Sequence, residues 1–238
     1  MTAWRWLPLL VAVGAPLAAQ APTRIALYPV SVDGEVGPVP HARPIFDSLI
    51  AARVREMGFE VVPAVEQERI WNRLRDSIGG YYDTYTGGII LEKLRVVGAG
   101  TRRELAQRFG NGASLIARII AVTIPFGGGE AKWHGTAQKS GGRGGLAGLL
   151  VGRSVGQVSA LSLIVLVQDT AGNRLYDGVG GIQLLGTFEG GRVHRMPADS
   201  LFADSTRNLA AVRLALDSLP ASLVKVAPPV SKYRDSTP

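Results

Sequence analysis

Apolar positions along this chain switch between a spacing of two and a spacing of three to four, and each switch marks a change of element. Arg24 to Val30 (RIALYPV) is β-branched and aromatic and runs into Pro29, which predicts an opening strand and then a loop over 31–40 rich in Gly and Pro. Ile45, Phe46, Leu49, Ile50, Val54 and Met57 recur at three and four, so they share one face of an amphipathic helix with Pro44 as its first residue and an end near Gly58. Phe59 to Val62 (FEVV) reads as a second strand closed by Pro63. The opening is a β-α-β unit.

A helix follows through Arg75, with Glu66 and Glu68 in its first turn, where carboxylates suit the positive end of the helix dipole, and with Ile70, Trp71 and Leu74 as its apolar face. Gly79 to Gly88 (GGYYDTYTGG) interrupts it. Ile89 to Val97 fits helix and strand equally well, whereas Thr101 and Glu104 stand in capping-box spacing before Leu105, Ala106 and Phe109. That spacing predicts a short helix from Thr101 to Gly110. Ala113 to Ile124 (ASLIARIIAVTI) is apolar enough for a buried strand. Ser159–Asp169 and Arg174–Leu185 flank TAGN, whose Gly and Asn favour a tight turn, and predict a β-hairpin. Asp204 or Ser205 caps a last helix with Leu209, Val212, Leu216 and Leu219 as its core stripe. The predicted fold is α/β (α+β): a two- or three-layer sandwich with a mixed sheet of about five strands, helices packed on it and a C-terminal hairpin followed by a helix.

Composition changes this picture at three places. Residues 1–20 read as an export leader, with Arg5, an apolar run from Trp6 to Leu17, and Ala18, Ala19 and Ala21 around a cleavage site, and with no cysteine to carry a lipid. The run is too short for a bilayer of about 30 Å. A periplasmic or secreted protein that is not a lipoprotein is therefore expected. Residues 126–158 carry glycine after glycine and read as an insert, mobile or ordered by a partner, within a single domain over 21–226; residues 227–238 read as a disordered tail. Finally, the chain has no Cys, which excludes disulfides, a thiol nucleophile and Cys-ligated metal. The formal charge of +7 comes from scattered Lys and Arg rather than from a basic run interleaved with aromatics, so nucleic acid is not an expected partner.

Candidate chemistry is sparse. Gly98-x-Gly100-x-x-Arg103 begins like a dinucleotide fingerprint but lacks the third glycine and the later acid, and GGRGG at 141–145 lacks the Lys-Ser/Thr of a phosphate loop. His41, His134 and His194 are far apart, and no Gly-x-Ser-x-Gly elbow is present. No catalytic, cofactor or metal residue is assigned. Asp83 among Tyr81, Tyr82 and Tyr85 is either a turn residue or part of a sugar site, and Asp83, Glu92 and Glu130 are the acids that a hydrolase of an envelope polymer would use. A small-molecule binding protein is the third option. In the insert, Leu146, Leu149 and Leu150 lie between Arg143 and Arg153. With Trp133 these six are the expected partner contacts, apolar in the centre and basic at both ends, and suited to a protein or a membrane face.

The order of elements resembles the envelope domains shared by the curli-secretion lipoprotein CsgG, the N-terminal domain of TolB and related outer-membrane lipoproteins. The likeness rests on Ile25 to Val30, on Met57 to Val62 (MGFEVV), on Leu105 to Val122 (LAQRFGNGASLIARIIAV) and on Leu163 to Gly178 (LIVLVQDTAGNRLYDG). It implies an exported assembly or binding subunit acting through contacts with envelope proteins; self-association and peripheral membrane contact are the further modes that the insert itself suggests. The lipid-bearing cysteine of that family is missing here.

Overall fold

The computed structural model describes residues 24–140, 155–189, 192–220 and 223. The expected leader over 1–20, the centre of the expected insert and the expected tail over 227–238 lie outside them. Within them the chain is α+β, a mixed eight-stranded sheet with four α-helices packed on it and a separate two-stranded hairpin.

The opening unit forms as the periodicity predicts. Strand β1 (Arg24–Leu27) leads through the two-residue β2 (Ser31–Val32) into helix α1 (Ala42–Glu56) and strand β3 (Glu60–Val62). β1 then lies between β3 and the later strand β4, parallel to both. Helix α1 begins two residues earlier than predicted and takes Pro44 into its first turn, where an N–H has no intrahelical partner to lose. Successive β1 side chains point to opposite faces of the sheet. Ile25 and Leu27 join the main core with Phe46, Ile50 and Val54 of α1, while Ala26 between them faces Ile70 and Leu105 on the other side.

That second face carries α2 (Ala64–Ser77) and α3 (Leu91–Phe109). The ambiguous stretch over 89–97 is the first half of α3, and the helix predicted to start at Thr101 does not start there. Thr101 is mid-helix and fully buried, with its hydroxyl donating to the Val97 carbonyl at 2.8 Å. Glu104 is not a cap but the partner of Arg73 and Arg108. Gly100 serves packing: a Cβ on it would stand 3.1 Å from Leu74 of α2.

Strands β4 (Ala113–Gly127) and β7 (Val155–Asp169) run antiparallel without a slip, from Ala113 opposite Asp169 to Gly127 opposite Val155. Much of the predicted insert is therefore sheet. After β4 the chain doubles back as β5 (Glu130–Trp133) and β6 (Thr136–Lys139). Its glycines make the corners: Gly128, Gly129 and Gly135 all take positive φ, of 65°, 79° and 78°. Ala131 and Trp133 then face inward, against Ile124, Phe126, Val158, Ala160 and Leu184.

Strand β8 (Arg174–Leu184) pairs with β7 through the predicted hairpin, whose turn is held by Asp169 accepting the Asn173 N–H at 2.8 Å. The following hairpin, β9 (Gly186–Glu189) with β10 (Arg192–Arg195), leads to α4 (Ser205–Leu216). Asp204 caps α4 by accepting the Arg207 N–H at 3.1 Å, one of the two caps the sequence allows. Ala211, Val212, Ala215 and Leu216 of α4 are fully buried in the main core.

Helix α4 sits against glycines. A Cβ on Gly178 or on Gly180 of β8 would fall well inside contact with the carbonyl oxygen of Ala215 or Ala211. Tyr176 completes the seam by donating its hydroxyl to the Ala215 carbonyl at 2.7 Å. Gly180→Ala is therefore expected to lose about 1–3 kcal/mol, because overpacking against backbone has no flexible side chain to give way. Gly34→Ala, which meets nothing within 4 Å, is the control and is expected to change stability by less than about 0.5 kcal/mol. Denaturant midpoints of the two variants check the pair.

Candidate binding site

Just beyond helix α2, Gly79 and Gly80 both take positive φ, and the chain turns into the tyrosine loop. Tyr82 and Ile89 face each other across an antiparallel bridge. Between them Asp83 accepts the N–H groups of Tyr85 at 2.9 Å and Thr86 at 2.8 Å, so it is the turn residue that one reading of the sequence made it. These bonds, Thr86 first, hold its carboxyl below the usual range and keep it ionised at neutral pH. An ionised carboxylate of this kind does not suit a general acid. Above the loop Tyr85 is 97% exposed, and Tyr82, Ile89, Leu91 and Val96 are all more than half exposed. Beneath it Tyr81 packs edge-on to Trp71 of α2, with ring centroids 6.1 Å apart.

The other acids considered for catalysis have local roles. Glu92 and Glu130 are exposed and pair with Arg95 and Lys132, on α3 and β5 respectively. The fold brings acids together around two arginines, Asp47 with Glu68 at Arg43 and Glu56 with Asp217 at Arg53, and the sequence pattern does not single them out. Burial raises the Asp47 pKa against the pull of the Val30 N–H and of Arg43. Its Oδ1 accepts that N–H at 2.8 Å and ties α1 to the end of β1.

The histidines stay apart in function. His41 meets the Leu201 carbonyl, His134 meets the Ser162 hydroxyl at 2.8 Å, and His194 lies on β10. Ser162 is fully buried, which leaves a substrate no approach to its hydroxyl. Among the described residues no group of three or more His, Cys, Asp or Glu is placed to hold a metal.

Of the six expected partner contacts, Arg143, Leu146, Leu149, Leu150 and Arg153 lie outside the described residues. Trp133 is described, and it is buried rather than presented: 6% exposed, with its indole N–H donating to the Leu161 carbonyl at 3.2 Å. The edge of β8 away from β7 is partly filled. Gly181 N–H donates to the His134 carbonyl, Thr136 donates to the Gly181 carbonyl, and Gln138 both donates to Ile182 and accepts from Leu184. Over residues 181–184 the edge is closed to an added strand.

Among the described residues the fold also forms an opening that no local motif announces. Tyr28 at the end of β1, Trp71 of α2, Ile116 of β4, and Leu94, Arg95, Gly98, Ala99 and Arg102 of α3 line a cleft of about 480 Å³. It lies over the face of the sheet where β1 and β4 run side by side, under α2 and α3. Gly98 and Gly100 are inside α3 rather than at a helix start, so they offer no free N–H groups to a pyrophosphate.

No protein-family model matches the chain, and no curated protein matches it. Among solved structures it is similar to the lipoprotein GNA1162 from Neisseria meningitidis, at 19% identity and a TM-score of 0.34, over 68% of this chain and 82% of that one. That likeness is too loose to carry fold or function across. Among the described residues no helix is long and apolar enough to cross a membrane.

The turn role of Asp83 sets a sign for pH dependence. A lowered folded-state pKa means that its contribution to loop order is present above the unfolded carboxylate value of about 3.9 and is lost as pH falls through the folded value. Carboxyl NMR of Asp83 is expected to show a midpoint below that of a model peptide. Asp83→Ala is expected to raise amide exchange at Tyr85 and Thr86 at neutral pH.

Proposed function

We propose that the chain is an exported, non-catalytic subunit of the bacterial envelope that works through protein contacts, and that its docking surface is the tyrosine loop with the first half of α3. The observation that carries this reading is the exposure of Tyr82, Tyr85, Ile89, Leu91 and Val96 within one short segment. Exposed apolar residues crowded in this way mark interaction surfaces more than scattered single ones do. Aromatic anchors on a supported base suit an interface centre, and Trp71 and Tyr81 supply that base.

The rim of the segment is mixed in charge, with Asp83 and Glu92 against Lys93 and Arg95, and the pairing of Arg95 with Glu92 at 3.7 Å is loose and solvent-screened. An envelope protein with an apolar centre and a polar rim of both signs is the partner this surface fits. The export-leader pattern over 1–20 and the resemblance to CsgG and TolB domains support the compartment.

The test is a photo-crosslinker placed at Ile89 of the full chain in cells. The expected result is one discrete adduct, lost in the Tyr85→Ser/Leu91→Ser variant while circular dichroism of the purified variant is unchanged. Each substitution at the interface centre is expected to weaken association by roughly 2 kcal/mol. No adduct from position 89, or an adduct indifferent to both substitutions, overturns the assignment.

A further inference from the structure

The cleft behind the tyrosine loop holds a charge that the fold does not use. Arg102 is half-buried, its Nε is shut away from solvent, and that Nε has no hydrogen-bond partner. Among the described residues no carboxylate pairs with this guanidinium. Glu104, the acid nearest in sequence, is taken by Arg73 and Arg108. Asp169, which shapes the turn that Arg102 touches, is taken by the backbone and side-chain amides of Asn173 at 2.8 Å each.

Position makes the unused charge informative. The guanidinium reaches from α3 to the turn between β7 and β8, where a Cβ on Gly172 would stand 3.0 Å from its Nη2. On its own helix it lies over Gly98, which leaves the cleft wall without a side chain at that point. Tyr28 lines the same cleft, and burial raises its phenol pKa against the opposing field of Arg102, so the hydroxyl stays protonated and can donate. Around these donors the walls are apolar: Trp71, Leu94 and Ile116. Retaining a partly buried, unpaired donor costs stability, and each such group in a folded protein calls for a reason.

We propose that this cleft binds a small organic anion, a carboxylate or phosphate monoester on an aromatic or aliphatic body, with Arg102 holding the head and Trp71, Leu94 and Ile116 enclosing the body. A guanidinium fork matches either head in a bidentate way, which a point charge does not. The Tyr28 hydroxyl adds a second donor. Arg95 at the mouth draws the anion in. The site adjoins the docking surface on the tyrosine loop and shares Trp71 and Arg95 with it, but it rests on Arg102 and Tyr28, and either proposal can fail without the other.

The test is isothermal titration of the full chain with four probes: 2-naphthoate, 1-naphthyl phosphate, the neutral 2-naphthalenemethanol and inorganic phosphate. Wild type is expected to bind at least one naphthyl anion at a single site, and to bind the neutral alcohol and inorganic phosphate more weakly by roughly tenfold or more. Binding of only the carboxylate or only the phosphate assigns the head group. Arg102→Gln is expected to lose roughly tenfold or more in affinity for the anion while leaving the alcohol unchanged. Arg213→Gln, on α4 across the sheet, removes the same charge and is expected to bind as wild type does. Arg102→Gln is also expected to melt at the wild-type temperature or above.

Several outcomes overturn the site: no naphthyl anion binds, the alcohol binds as tightly as the anions, or both arginine variants weaken binding alike. Inorganic phosphate binding as tightly as naphthyl phosphate removes the apolar body from the proposal. A lower melting temperature for Arg102→Gln with unchanged anion affinity makes the residue a packing element and overturns the site as well.

Discussion

The contact on which the architecture depends is backbone against backbone, where α4 lies on β8 with nothing between them at Gly178 and Gly180. A glycine inside a strand weakens it when taken alone, through lost entropy and missing side-chain contacts. Here the lost side chains are replaced by Ala211 and Ala215, one turn apart on α4, whose carbonyls sit where the β-carbons would be. Such an approach fixes the register of helix on strand, since a step along either element would bring a side chain into the gap. The bulk excluded from this seam gathers further along the same face, where Phe46 and Phe202 meet edge to face at a centroid distance of 5.5 Å.

The opposite face follows the same logic with a different partner. Gly181, whose side chain would turn away from α4, leaves room for Thr136 and for the indole of Trp133. The β5–β6 hairpin folds over this position and ties itself to β8 through Thr136 and Gln138, whose bonds stand in for part of a strand ladder. One run of glycines thus admits a helix on one side and a hairpin on the other. The long β4–β7 ladder carries both sets of contacts.

What could be read in the sequence follows from the range over which each signal acts. The β-α-β opening, the Asp204 cap and the turn at Asp169–Asn173 are written within a few residues and formed as read. Thr101 and Glu104 show the weakness of a short motif, because capping-box spacing also arises inside a helix whenever two such residues lie on adjacent turns. Glycine count misled in the same way. The residues at 128, 129 and 135 are corners at positive φ, and between them Ala131 and Trp133 alternate inward with Glu130 and Lys132 outward, a strand pattern too short to stand out. The cleft was out of reach altogether, because it assembles Tyr28, Trp71, Arg102 and Ile116 from four elements that meet only in the folded chain.

Phe202 carries the seam one step further. It holds a left-handed backbone at φ 64°, which costs a bulky residue energy, and two buried amides clamp it: Gln183 of β8 accepts its N–H and Asn208 of α4 donates to its carbonyl. A single residue is thereby bonded to both sides of the glycine contact. The helix cannot lift off the strand without releasing this latch, and the latch cannot open while the helix is seated. Hydrogen exchange along β8 and α4 should accordingly rise and fall as one, which makes the C-terminal third of the domain a single cooperative block.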